Sequence, residues 1–573
     1  MATETLTLRR AVEFKSRVCG VTGLTVDQDA ERLIKANAVT AIVFLLIGGV
    51  MAVFVAMTRW PAVGLLSSRP ELFYRFLTAH GINMLIFWIV FFEVAGLYFG
   101  GAVLLNARLV KPRLAWFAYG SMLAGAILTD AVVFAGKADV MWDAYVPLKA
   151  SPLFYVGYDL FAIGTFIAVG LFFATIVVAR VEGRHTGSLP LVTFGLVTAG
   201  IIAVVTLIGG VIAFVPALLW SMGALKLDAA VYRLNLWLFG HSSQQINLAA
   251  MVSIWYLLAA LTVGARPINQ KLSRFAFILY ILFIDFGSVH HLLTDPGLTR
   301  SFKTWNTSYA MYGAVLGSMI HAYSIPAGME VAQRARGYVR GLFEWLRKGP
   351  WSNPGFSSLV ISAVIFGFLA GTTGVAFGHD QNNITVHNTL AIPGHFHATV
   401  VAGTTLAFMG LTYYVIPLIF RREIVGRRWA TLQPYVYGGG VLLLSIGMLV
   451  AGGTYGVPRR VSSISYTGAA APVSFPSAAN LWLGVLGVGA VIAIVGGAMF
   501  VGIAVSSVLF GKRIPIGGRS ETMTTSLAAV TSSDAVVEHR APGTLVLVFT
   551  FLAVFAAVLA IVFAKTAGLW PVG

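Results

Sequence analysis

The sequence predicts an all-α fold, a polytopic transmembrane helix bundle of about thirteen spans. Three observations predict it. Of 573 residues, 58% are apolar and 11% charged, where soluble domains carry about 25% charged residues. The mean hydropathy is +0.83. The apolar residues fall into runs of about 20 or more, the length a helix needs to cross the hydrocarbon core, joined by short loops. This composition excludes a water-soluble enzyme, a disordered chain and a collagen-like chain. A lone cysteine, Cys19, excludes disulfide scaffolds and cysteine-based metal clusters.

Residues 1–36 are polar and basic, with Arg9, Arg10, Lys15, Arg17, Arg32 and Lys35. They lack the apolar core of a cleavable signal peptide and are expected as a cytoplasmic tail. Residues 37–573 read as a single membrane domain, with no soluble domain and no internal repeat. The first span is expected at 37–57. The second, 80–106, opens on His80 and stops before Arg108, Lys111 and Arg113. Spans at 115–136, 154–179 and 191–220 follow. The sixth, 229–264, carries His241 about a third of the way in, and the seventh, 276–294, closes on His290 and His291. The eighth, 306–331, ends before Arg334, Arg336, Arg340, Arg347 and Lys348. A ninth at 357–377 precedes the tenth, 388–419. That span has His395 and His397 in its first third, with Arg421, Arg422, Arg427 and Arg428 behind it. The last three are 431–453, 479–509 and 543–569.

Basic residues orient the bundle. With the N-terminus in the cytoplasm, the tail and inner loops take more than two thirds of the 39 Lys and Arg. Thirteen spans then put the C-terminus outside. The net charge of +17 reflects cytoplasmic loops on a lipid membrane, and no nucleic-acid partner is expected. Arg459 and Arg460, in GVPRRVSS, lie on the outer side against this rule and require an anionic partner there.

Of the eleven histidines, His185 and His539 fall in inner loops. The others, at 80, 241, 290, 291, 321, 379, 387, 395 and 397, lie mostly within or at the ends of apolar spans. A single intramembrane histidine often only bonds two helices together. Six at one depth in the outer half of the membrane point to function, because ionisable groups are costly there. His395 and His397 are two apart, about 200° around a helix, so they serve two cofactors on opposite faces. His241, His290 and His291 make a three-imidazole site with a coordination position open. Imidazoles suit copper, iron or zinc, and an open position is what metal catalysis requires.

The pattern resembles the catalytic subunit (subunit I) of the haem–copper oxidase superfamily. FGH at 239–241, GSVHHLLTDPG at 287–297, VHNTLAIPGHFH at 386–397 and VPRR at 457–460 carry the resemblance. TAHGINM around His80 and PWSNP at 350–354 agree, and the order fits from residue 70 to 510. The VHNT and VPRR segments and the span count look most like the B-type branch. The resemblance implies two haems, both expected as haem b, and one non-haem metal, copper or iron. His80 and His397 would be axial ligands of a low-spin haem and His395 the proximal ligand of a high-spin haem. His241, His290 and His291 would hold the second metal. Arg459 and Arg460 would pair with haem propionates, His387 would lie near those of the high-spin haem, and Trp237 would pack beside the first metal ligand.

One departure bears on the substrate. In oxygen-reducing A- and B-type members, a tyrosine cross-linked to a metal-binding histidine lies four residues after the first ligand. Here that position is Gln245, in His241-Ser242-Ser243-Gln244-Gln245. The C-type position, six before the HH pair, is Ile284, and Tyr280 does not match it. Splitting O₂ takes four electrons at once, of which the two metals supply three and the tyrosine the fourth. Reducing two NO to N₂O and water takes two electrons and two protons and needs no tyrosine. In the superfamily's NO reductases the slot of Gln245 holds a glutamate that binds non-haem iron. Gln245 keeps the carbonyl acceptor without the charge. The resemblance therefore implies a respiratory nitric oxide reductase of the prokaryotic cytoplasmic membrane, acting in denitrification. The alternative is a proton-pumping B-type oxygen reductase that lacks the usual tyrosine. A proton-coupled transporter should show broken helices and leaves HFH and RR unexplained.

B-type enzymes take protons along hydroxyl side chains of the sixth and eighth spans. Tyr256, Ser318 and Ser324 match that path, His321 stands at a threonine position, and Val252 replaces a path tyrosine. Asp285, about 140° around the helix from His290, is a proton donor or a structural hydrogen bonder. With no CXXCH and no cysteine pair, electrons must arrive from elsewhere. A second subunit with a copper or cytochrome c domain on the outer face is expected, with cytochrome c or quinol as donor.

Overall fold

Long apolar runs leave the backbone no partner but itself in lipid, so the chain is built from helices whose hydrogen bonds are internal. The computed structural model describes residues 13–20, 22–283, 285–466, 472–521 and 540–567, without the side chains of 285, 286, 288 and 289. Arg9, Arg10, His539, Ile284 and the Asp285 side chain therefore lie outside the described residues. Among the described residues, eleven helices are long and apolar enough to cross a membrane. They are α1 (Gln28–Arg59), α2 (Pro70–Val103), α3 (Pro112–Phe134), α4 (Pro152–Val181), α5 (Leu191–Ser221), α6 (Ala229–Val263), α9 (Pro354–Gly378), α10 (Ala391–Phe420), α11 (Arg427–Tyr455), α12 (Ser477–Phe510) and α13 (Pro542–Thr566). The seventh and eighth expected spans are helical but fall outside this set. The α7 helix (Gln270–Phe283) is 14 residues long and gives way to a 3₁₀ segment, Asp285–Leu292. In α8 (Met311–Ala335), Ser318, His321, Ser324 and Glu330 interrupt the apolar run.

Helix starts depart from the apolar runs where polar residues are held by partners. The expected tail is structured from Ser16: strands Ser16–Val18 and Thr25–Asp27 pair antiparallel, with Ser16 opposite Asp27. Asp27 then caps α1 through the N–H groups of Asp29 and Ala30, so this helix begins nine residues before the expected 37. Glu31 accepts from Arg17 Nε at 2.7 Å and Lys35 Nζ at 2.6 Å, which neutralises the polar first turns. In α2, Pro70 fits the first helical position, where no N–H is needed, and the helix starts there. His80 thus sits eleven residues inside α2, not at its opening.

Glycines allow the tightest crossings, as in membrane bundles generally. A Cβ on Gly440 of α11 would come within 2.2 Å of Ala493 N on α12, and one on Gly489 within 2.3 Å of Leu444 N. Turns of π-helix interrupt α2 at Asn83–Phe87, α9 at Phe366–Gly371 and α10 at His397–Thr405. Such turns concentrate at functional sites. The α13 helix packs loosely. Glu330 of α8 caps its start, accepting from Gly543 N at 3.0 Å and Thr544 N at 2.6 Å.

Candidate metal and cofactor site

Two helical segments bring three imidazoles together. His241 comes from the middle of α6, and His290 and His291 from the 3₁₀ segment, where adjacent side chains stand about 120° apart. One ring nitrogen from each lies within 4.8 Å of the others, close enough for one metal ion. His241 Nδ1 is 3.2 Å from His291 Nε2, and the His241 and His290 rings meet edge to face at 4.6 Å. Gln245 is one turn along α6, its Nε2 3.4 Å from His241 Nε2. Trp237 stacks flat on His291, centroids 3.9 Å apart, and its Nε1 donates to the Tyr145 hydroxyl at 2.9 Å.

These groups open on a cavity of about 300 Å³ that also exposes His395, His387, Ser318, Arg459 and Arg460. His395 Nδ1 lies 3.1 Å from Thr373 Oγ1 of α9, whose own hydroxyl donates to Leu369 O at 2.6 Å. Thr373 is therefore an acceptor beside the Ala370 backbone, and the tautomer leaves His395 Nε2 without a partner among the described residues. Beneath the ring, a Cβ on Gly374 would come within 2.9 Å of His395 Cε1. The cavity is thus walled by the His395 imidazole on one side and the three-histidine group on the other.

On the opposite face of α10, His397 faces His80 across a second cavity of about 300 Å³. His80 Nδ1 bonds Gly48 O at 3.0 Å and His397 Nδ1 bonds Pro393 O at 2.7 Å. Neither Nε2 atom has a hydrogen-bond partner among the described residues. The rings are within 19° of parallel and 6.4 Å apart. Two imidazoles bound end-on to one metal, at about 2.0–2.1 Å each, put their centroids about 6.3 Å apart, so the pair fits a bis-histidine iron.

Arg459 and Arg460 line both cavities. Arg460 pairs with the buried carboxylate of Asp143. Arg459 donates from Nη2 to Asn388 Oδ1 at 3.2 Å, while its buried Nε has no partner among the described residues. Burial, with Arg460 beside it, pushes the Arg459 guanidinium below its ordinary value. This unmet demand for negative charge fits a carboxylate such as a propionate. The imidazole of His387 Nδ1 lies 3.2 Å from Asn383 Oδ1. Burial, reinforced by Arg459 and Arg233, holds it down at about 4.

Away from the cavity, the Tyr256 hydroxyl lies 3.0 Å from both Ser273 Oγ and His321 Nδ1, and Ser324 bonds it too. Ser318, on the cavity wall, lies 3.0 Å from the hydroxyl of Tyr280, whose ring faces His321 at 5.5 Å. Tyr280 is thus drawn into this network although its spacing matched nothing. Thr373, Asp143, Tyr145 and Gln244 also belong to the site and were missed. Their only signal was a polar residue on, or beside, an apolar run.

Known proteins resemble this chain in sequence and fold. The family described as cytochrome C and quinol oxidase polypeptide I matches residues 32–492. A cytochrome c oxidase subunit 1 from Thermus thermophilus is 28% identical over 459 residues, covering 77% of this chain and 79% of the relative. One from Bacillus subtilis is 25% identical over 454 residues, covering 73% and 66%. A solved haem–copper terminal oxidase dimer superposes with a TM-score of 0.81 at 23% identity, over 94% of this chain and 92% of that one, which speaks to fold alone. The chain is an oxidoreductase polypeptide that belongs to the cytochrome c and quinol oxidase polypeptide I family, subunit I of the haem–copper oxidase superfamily.

Proposed function

We propose that the chain is the catalytic subunit of a respiratory nitric oxide reductase, reducing two NO to N₂O and water. The observation that carries this reading is Gln245, whose amide lies 3.4 Å from His241 where oxygen reductases place their redox tyrosine. An amide neither gives up an electron nor supplies a proton at neutral pH. It can hold a small polar ligand by hydrogen bonds, and two-electron chemistry asks no more of it.

His80 and His397 bind a low-spin haem, His395 a high-spin haem, and His241, His290 and His291 copper or iron. When bound, these groups supply the electrons and the open coordination positions. The chain's own residues do the rest. Thr373 and the Ala370 backbone fix the His395 tautomer, Arg459 and Arg460 neutralise propionates, and His387 stays uncharged beside them. Trp237 clamps His291. Protons enter from the cytoplasm through Ser273, Tyr256, Ser324 and His321, and reach the cavity by Tyr280 and Ser318. Asp285 is assigned as a further donor on position alone. Thirteen spans put the C-terminus outside a prokaryotic cytoplasmic membrane, and a second subunit on the outer face passes electrons from cytochrome c or quinol.

A B-type oxygen reductase is the second reading. The relatives' names favour it, as does Tyr145, a tyrosine on the cavity wall joined through Trp237 to His291. The gas consumed decides between the two. With one electron donor, the purified complex should form N₂O from NO and reduce O₂ slowly or incompletely.

A further inference from the structure

We propose that an internal cavity between α2, α4, α5 and α6 is a second proton-exchange site for the metal centre, with Glu93 as its carboxyl and Gln244 positioning the water that leaves it. The inference rests on the reading that the three-histidine centre consumes protons. That holds for either gas: two NO take two electrons and two protons to give N₂O and water, and O₂ takes four of each to give two waters.

The cavity measures about 80 Å³ and is lined by Glu93, Asp159, Thr165, Thr206, Ser243 and Asn247 among apolar side chains. Glu93 is 7% exposed. Its Oε1 has no hydrogen-bond partner, and no cation pairs with it, among the described residues. A carboxyl in the middle of an apolar span is expensive and usually functional, and here no structural bond accounts for it. The space admits a few waters, with enough polar groups around it to hold them.

Hydrogen bonds link the cavity wall to the metal site. Gln244 lines the three-histidine cavity. Its Oε1 accepts from Asn247 Nδ2 at 3.2 Å and its Nε2 reaches Ser243 Oγ at 3.4 Å, both residues on the wall of the Glu93 cavity. Gln244 therefore ties the three-histidine cavity, which it lines, to two residues on the wall of the Glu93 cavity. The path is separate from the Tyr256 network, which joins α6 to α7 and α8. In operation Glu93 releases a proton to cavity water, that water passes it across the Gln244 boundary to the reducing centre, and the carboxylate regains a proton from solvent.

The test compares Glu93→Gln, Glu93→Asp and Gln244→Leu in the purified complex by haem spectra, turnover against pH, and redox-induced infrared difference spectra in H₂O and D₂O. Glu93→Gln should keep both haem signatures and slow turnover about 10²-fold, the low end for a positioned proton donor. It should also lose a deuterium-sensitive carboxyl C=O band. Glu93→Asp should recover part of the rate with the band shifted. Gln244→Leu should slow turnover and keep the band. Wild-type turnover in Glu93→Gln, or persistence of the band there, overturns the proposal. If Glu93→Gln fails to assemble with haem, wild-type turnover and pH profile in Gln244→Leu overturn it instead. Which gas is consumed bears on the reductase reading alone, and the carboxyl band is read whichever gas that is.

Discussion

Thr373→Val removes one of the two groups that orient His395 and leaves the other, the backbone of Ala370. Valine nearly matches threonine in volume, so the packing of α9 is retained while one acceptor for His395 Nδ1, 3.1 Å away, disappears. Because the hydroxyl proton is committed to Leu369 O at 2.6 Å, no compensating donation is lost from the ring. Because the Ala370 backbone still bonds the ring, the loss is that of one hydrogen bond, about 0.5–1.5 kcal/mol. That corresponds to roughly 2–10-fold in ligand binding, reaching at most the low end of the range known for the outer partners of ligating histidines. The purified variant should keep its low-spin haem, lose high-spin haem on prolonged dialysis, and show a lowered iron–histidine stretch by resonance Raman. Thr373→Ser should restore both. High-spin haem content and an iron–histidine band unchanged from wild type in Thr373→Val would refute the assignment of Thr373.

Haem analysis of the wild-type chain should give two haems by pyridine haemochrome, and His80→Ala should remove the low-spin one while leaving the five-coordinate signature; one haem or none in the wild type contradicts the ligand assignment. Glu330→Ala removes the partner of half-buried Arg334 and leaves the buried Gly543 and Thr544 N–H groups of α13 without their acceptor, costing about 1–3 kcal/mol; limited proteolysis should then clip α13 first, and equal resistance to wild type argues against the cap. His387, held at about 4 when folded, takes up fewer protons than the unfolded chain between about 6.5 and 4. Its contribution to stability is therefore complete above 6.5 and lost as pH falls through about 4. His387→Gln should flatten the apparent melting midpoint over that window, and an unchanged slope would count against it.

The spans were legible because a helix in lipid can hide only its own backbone, so each leaves an apolar run of known length. Their ends were not. At α1, Asp27 and the Arg17–Glu31–Lys35 cluster extend the helix beyond its apolar run, and at α2 the Pro70 start carries ten residues of mixed polarity ahead of His80. The site histidines were legible by type, since imidazole has few other reasons to sit in lipid. Thr373, Gln244 and Asp143 were not, because a lone polar side chain on or beside an apolar helix shows its use only through what it faces. Tyr280 illustrates the same point: its spacing matched no family position, yet α7 turns its hydroxyl to Ser318.

The central claim is that Gln245 marks a two-electron centre, and counting electrons against gas on one preparation tests it most directly. With a single donor, its oxidation is followed together with N₂O formed under NO and, separately, O₂ consumed. The account predicts sustained N₂O production with two electrons taken per N₂O, and slow or incomplete O₂ uptake. Fast O₂ uptake at four electrons per molecule with negligible N₂O would contradict it and make the chain a divergent oxygen reductase.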